Sequence, residues 1–202
     1  MSDGGPRRVA LIQGHPDGAG GHYCHALADA YASAARQEGH DVALLDVGRM
    51  TFPLLRGRAD QRRAPPPDIQ AAQASLLRAE HVVLVFPVWN GGPPAILRGF
   101  FEQVFRPTFV FPDADPAKPL GLSSVLTNRK GLAGRSGRII ATMQMPGLVY
   151  RSMFHPRGER SHLSLAGIAP IRETFIGGVE STTAARRAVW LTKASALGRA
   201  AR

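Results

Sequence analysis

The 202 residues carry 25 Lys and Arg against 15 Asp and Glu, a formal net charge of +10, and 44% of them are hydrophobic. A chain of this size folds as a single domain, 1–202, with a core that needs neither disulfides nor a structural metal, and the lone Cys24 cannot pair internally, which suits a reducing, cytoplasmic compartment. No apolar run reaches the length of a membrane span, and the basic clusters come without a basic helix, an aromatic RNA-binding strand or a zinc spacing, so neither membrane nor nucleic acid is the expected partner.

Arg7–Gln13 is the first predicted strand, and it runs into the loop Gly14-His15-Pro16-Asp17-Gly18-Ala19-Gly20-Gly21-His22. Helical spacing of Tyr23, Leu27, Ala30, Tyr31 and Ala34 then lasts until Gly39. Glycines before a helix start leave backbone N–H groups and the positive end of the helix dipole where a phosphate binds. The loop lacks both the G-x-x-x-x-G-K-[ST] and the G-x-G-x-x-G spacing, which disfavours ATP and classical dinucleotide binding; a merely flexible turn is the other reading. Asp41–Asp46 is the second strand. A basic, proline-closed surface loop with Arg56, Arg58, Arg62 and Arg63 follows, and Ile69–Ala79 forms a helix with Asp68 as its expected cap.

Val82–Phe86 is an unbroken β-branched and aromatic run, the pattern of a strand buried on both faces in the middle of a parallel sheet. Pro87 is expected to stop it. Gly91, Gly92 and Pro93-Pro94 then turn the chain into a helix whose apolar stripe is Ile96, Leu97, Phe100, Phe101, Val104 and Phe105, with Arg98, Glu102 and Gln103 on the wet side. The loop Pro87–Gly92 lies beyond the carboxyl end of its strand, where open α/β sheets bind ligands; Trp89 either lines that site or plugs the top of the core. A long excursion through Gly134 follows, in which Phe109, Val110 and Phe111 have no obvious place in the core. Arg138–Met143 is the fourth strand, ending in the loop Gln144–Tyr150, and Pro170–Gly178 is the fifth, nearer an edge. Thr182 or Thr183 caps a last helix with the stripe Trp190, Leu191, Ala194 and Leu197.

Gly14-His15-Pro16, Phe86-Pro87-Val88-Trp89 with Pro94-Ala95-Ile96-Leu97, Val104-Phe105-Arg106-Pro107, Thr142-Met143 with Met145-Pro146 and Tyr150, and Trp190-Leu191 occur in one order across nearly the whole chain. Together they resemble the flavodoxin-like NAD(P)H:quinone oxidoreductase family, which includes the ancillary flavoprotein subunits of potassium-efflux systems. The resemblance implies a flavodoxin-like doubly wound α/β fold, a five-stranded parallel sheet in the order 2-1-3-4-5 with helices on both faces. It implies a flavin, FAD with FMN as the alternative, reduced by NAD(P)H and reoxidised by a quinone or similar acceptor, in a homodimer. The cofactor contacts carried over are His15, His22, Tyr23 and Cys24 in the first loop, Pro87, Val88, Trp89 and Asn90 in the second, and Thr142, Met143, Gln144, Met145 and Tyr150 in the third; no metal is implied. Tyr150 and His155 match the residues that steady the reduced ring or feed protons. The second function the resemblance allows is a flavin-binding regulatory subunit with little turnover, docking through the arginine loop. His22, Tyr23 and Cys24 stand where relatives usually have a serine, an aromatic and an asparagine.

Overall fold

The strand expected to be buried on both faces sits at the centre of the sheet. In the computed structural model, which describes residues 5–115, 121–153 and 158–202, β1 (Arg8–Gln13), β2 (Asp41–Asp46), β3 (His81–Pro87), β4 (Ser136–Thr142) and β5 (Ile171–Ile176) are all parallel. Their order is β2-β1-β3-β4-β5, the flavodoxin-like order expected. All seven residues of β3 are buried. Pro87 does not interrupt the ladder: it is the last residue of β3, in register with Thr142, because a proline without an N–H is tolerated where the pairing ends. At the edge, β5 buries only its two end residues, Ile171 and Ile176, and leaves the four between them exposed or half-buried, as a strand with one neighbour allows.

Period-2 alternation sends Ile12, Leu84, Phe86 and Ile139 to one face of the sheet and Leu11, Val83, Val85 and Ile140 to the other. The first face is covered by α3 (Pro67–Arg78) and α4 (Ala95–Val104), the second by α1 (Tyr23–Gln37) and α9 (Ala184–Arg199). α4 buries Leu97, Phe100, Phe101 and Val104 on one stripe, each worth about 1.5–3 kcal/mol by area removed from water. Gln103 is not on the wet side. It is buried, its amide nitrogen donates to the Pro53 carbonyl and its oxygen accepts from Arg106, so the surface loop is tied to α4 by a satisfied polar group.

Two further expectations change. Asp68 does not cap α3, which starts with Pro67; its carboxylate accepts the Thr51 N–H at 2.7 Å and anchors the preceding loop. Val110 and Phe111 do have a place in the core, because the one-turn helix Pro107–Val110 folds them back beneath α4, and the Gly131 N–H donates to the Val110 carbonyl. Thr183 caps α9 by accepting the Arg186 N–H. Among the described residues no helix is long and apolar enough to cross a membrane.

Candidate functional site at the carboxyl rim of the sheet

Parallel strands deliver their following loops to one edge, so the segments after β1, β3 and β4 meet there. The Val88 N–H donates to the Thr142 carbonyl at 2.7 Å, and the Cys24 thiol lies 3.1 Å from the Thr142 hydroxyl, which ties the start of α1 to the end of β4. The His15 ring stands edge-on to Trp89, 6.1 Å between centroids, joining the first and second loops. Of the residues expected from the sequence, His15, His22, Pro87, Val88, Trp89, Asn90, Thr142 and Met143 belong to these three strand ends.

The first loop is arranged around Asp17 and three imidazoles. The Asp17 carboxylate accepts the Ala19 N–H and pairs with His22 Nε2 at 2.8 Å, and that contact holds its pKa below the usual carboxylate value. His22 stacks on His15 at 3.9 Å, and His25 lies 5.2 Å from His15. His15 is buried, its Nδ1 accepts the Asp17 N–H, and burial together with the neighbouring His22 and His25 lowers its pKa to about 4, so it is neutral at pH 7. Both ring nitrogens of His25 are shielded from solvent and have no hydrogen-bond partner among the described residues. His25 was missed in the sequence; the signal was its i+3 spacing from His22, which puts both rings on one face of the first turn.

These groups fit an anion. No side chain caps α1, its first turn holds no acid, and Gly20 and Gly21 have φ of 90° and 80° with open space where a side chain would stand. Backbone N–H groups and a helix dipole facing open space are what a phosphate needs. In the second loop Asn90 (φ 49°) and Gly91 (φ 78°) form a tight turn closed by Trp89 N–H to Gly92 carbonyl and Gly92 N–H to Trp89 carbonyl bonds. Asn-Gly is the pair that favours such a turn. The turn lifts Trp89 to 51% exposure, an apolar flat surface held out at the rim and not a plug in the core.

Other expected residues are placed differently. Tyr23 turns toward α9, donating its hydroxyl to the Arg187 carbonyl at 3.1 Å. Cys24 is buried, and desolvation raises its thiol to about 12, so it is a packed group and no nucleophile. Gln144 accepts the Glu180 N–H and is thereby committed to the turn after β5; Met145 packs half-buried against the core. Tyr150, in α7 (Gly147–Met153), is 5% exposed with its ring 5.4 Å from Phe175. Burial and the carboxylates of Glu159 and Glu173 push its phenol up to about 12. His155 and Phe154 lie outside the described residues. Among the described residues no group of three or more acidic, histidine or cysteine side chains is placed to hold a metal ion.

A family model described as "flavodoxin-like fold" matches residues 7–197. Rat NAD(P)H dehydrogenase (quinone) 1 is 29% identical over 126 residues, 52% of this chain and 45% of that protein. The chain spans about half the length of the curated relatives it matches. Among solved structures, NAD(P)H:quinone oxidoreductase from Methanothermobacter marburgensis superposes with a TM-score of 0.72 at 16% identity, covering 96% of each chain. An FMN-dependent NADH-azoreductase from Bacillus anthracis, solved in complex with FMN, gives 0.67 at 11% identity over 95% of this chain and 97% of its own. With its strand order, its three converging rim loops and a family match over nearly its whole length, this chain belongs to the flavodoxin-like fold family.

Proposed function

We propose that the chain is a flavin-dependent NAD(P)H oxidoreductase that passes hydride from NAD(P)H to a quinone or similar acceptor. The observation that carries the reading is the rim itself: an uncapped α1 N-terminus with open glycine backbone on one side and the exposed Trp89 on the other, joined through His15. The relatives' names, NAD(P)H dehydrogenase (quinone) and FMN-dependent azoreductase, support the same chemistry. When bound, a flavin supplies the hydride-accepting and hydride-donating centre. The first loop's N–H groups and His22 hold its phosphate, and Trp89 with Pro87 and Val88 gives the ring an apolar wall. Thr142 and Met143 close the far side. FAD is the proposed form, with FMN the alternative that heat release and mass measurement separate.

Tyr150 is proposed as a hydrogen-bond donor toward the ring's carbonyl edge. Its phenol is protonated at neutral pH already at the ordinary tyrosine value, and burial raises it further, so it can act as a donor. His155 is carried as its partner on the resemblance alone. A cytoplasmic setting accords with the one free, buried cysteine. A homodimer accords with the apolar residues that α7 leaves exposed, Leu148 at 80% and Met153 at 69%. The alternative, a flavin-binding regulatory subunit, draws on α2 (Arg58–Arg62), which buries none of its residues and offers a basic docking face. Turnover decides between them. The recombinant protein is expected to oxidise NAD(P)H with a quinone acceptor far faster than the same concentration of free flavin; flavin binding with no such acceleration would favour the subunit.

A further inference from the structure

On the opposite side of the molecule from α4, α9 rests on α1 through small residues. A side chain at Gly198 would place its Cβ 2.2 Å from the Tyr31 carbonyl oxygen, and Ala194 is the other α9 residue fully buried there. With Ala196 and Ala200 also small, α9 does not fill the space above β4 and β5, and a cavity of about 390 Å³ remains. Leu27, Ile140, Ile176 and Leu197 make its walls apolar. The charged residues of its lining are Arg138, Arg172, Lys193 and Arg202, with no Asp or Glu among them, and Arg202 also brings the main-chain oxygen that accepts from Arg138.

Arg138 forms the floor. It is 93% buried by its 7% exposure, sits in register beside Arg172, and donates to the Thr174 hydroxyl at 3.0 Å and to a main-chain oxygen of Arg202 at 2.6 Å. Arg172 and Arg202 both oppose its charge. The nearest acid on β5, Glu173, points to the other face of the sheet, where it pairs with Arg160. At the mouth the Lys193 ammonium lies over the Trp190 ring, 4.2 Å from its centroid. A guanidinium taken out of water needs acceptors, and Arg138 meets two of them here, so the cations open to a ligand are the exposed Arg172 and Lys193.

We propose that this cavity is a second binding site, for a small amphipathic anion with a flat or short apolar body and one carboxylate or sulfonate group. Volume and lining match ligand pockets, which are mostly apolar with a few placed polar groups. A polyanion such as nucleic acid would need its cations on an open surface, whereas here Arg138 is buried and apolar residues share the lining with the cations. The cationic end of the cavity lies away from the carboxyl rim, since Arg138 and Arg172 are near the amino ends of their strands, while Ile176 at the end of β5 forms its far wall.

The test uses the fluorescent anion 8-anilinonaphthalene-1-sulfonate on the whole protein and on an Arg172→Glu variant, a charge reversal at an exposed position. The expected result is saturable binding at one site per chain, displaced by 1-naphthoate and not by the neutral 1-naphthalenemethanol, and weakened at least tenfold in the variant at an unchanged unfolding midpoint. No saturable binding, equal affinity in the variant, equal displacement by the neutral ring, or displacement by a short oligonucleotide and not by naphthoate would each overturn the proposal.

Discussion

The two ends of the sheet are built from similar residues to opposite purposes. At the amino end Arg7 donates to the carbonyls of Ala201 and Glu80 and to the Ser136 hydroxyl, its N–H bonds to His40, and His81 shares Ser136. At the carboxyl rim, three imidazoles crowd together, a helix starts without a cap, and an indole stands in solvent. Polar groups bonded to one another fasten strands; polar groups left facing open space are available to a ligand. Histidine as a residue type does not separate the two ends, but the partners do.

Acid should act on both ends and show the largest effect. His81 is pulled down to about 3 and His15 to about 4, each chiefly by burial, against about 6.5 when unfolded. Between those values the unfolded chain binds more protons than the folded one. Stability is therefore complete above about pH 6.5 and is lost as pH falls toward 3–4. Urea midpoints measured at descending pH should drop steadily through that window. An anion bound at the rim should reduce only the His15 share; a flat profile would mean that the imidazoles are not held neutral.

Arg7→Ala isolates the amino end. It removes three donated bonds and should cost about 2–3 kcal/mol in urea unfolding while leaving flavin affinity unchanged. Its counterpart at the rim is His22→Ala with Trp89→Ala, two exposed side chains. That pair should weaken flavin binding at least tenfold, about 1.4 kcal/mol, and shift unfolding by less than about 0.5 kcal/mol. If the two variants traded these effects, the contrast between the ends would be wrong.

Most of the fold was legible because β3 and α4 announce themselves by period: a doubly apolar run and a helical stripe admit few placements. Gln103 was misread because period assigns faces to elements and says nothing of a distant carbonyl such as that of Pro53 waiting to accept a bond. Phe111 was misread because the turn at Pro107 folds the chain back, a long-range event. At the rim, the tight turn at Asn90-Gly91 was legible from the dipeptide itself. The turn of Tyr23 toward Arg187 depends on where α9 docks, which no local pattern carries.

Two smaller effects sharpen the rim further. Tyr150→Phe keeps the ring on Phe175 and removes the phenol donor, so it should retain flavin and slow its reduction by NAD(P)H about tenfold in stopped-flow absorbance; equal rates would leave Tyr150 a packing residue. Cys24 should resist thiol reagents in the native protein and react on unfolding, since its thiol is buried and raised to about 12. Rapid native labelling would show that the start of α1 opens.

The central claim is that the carboxyl rim holds a flavin. The direct measurement is to incubate the purified protein with FAD and with FMN, remove unbound ligand, and identify by mass what stays. The account predicts one flavin per chain in the wild type and loss of retention in the His22→Ala/Trp89→Ala variant. Protein that folds normally yet retains neither flavin would contradict it.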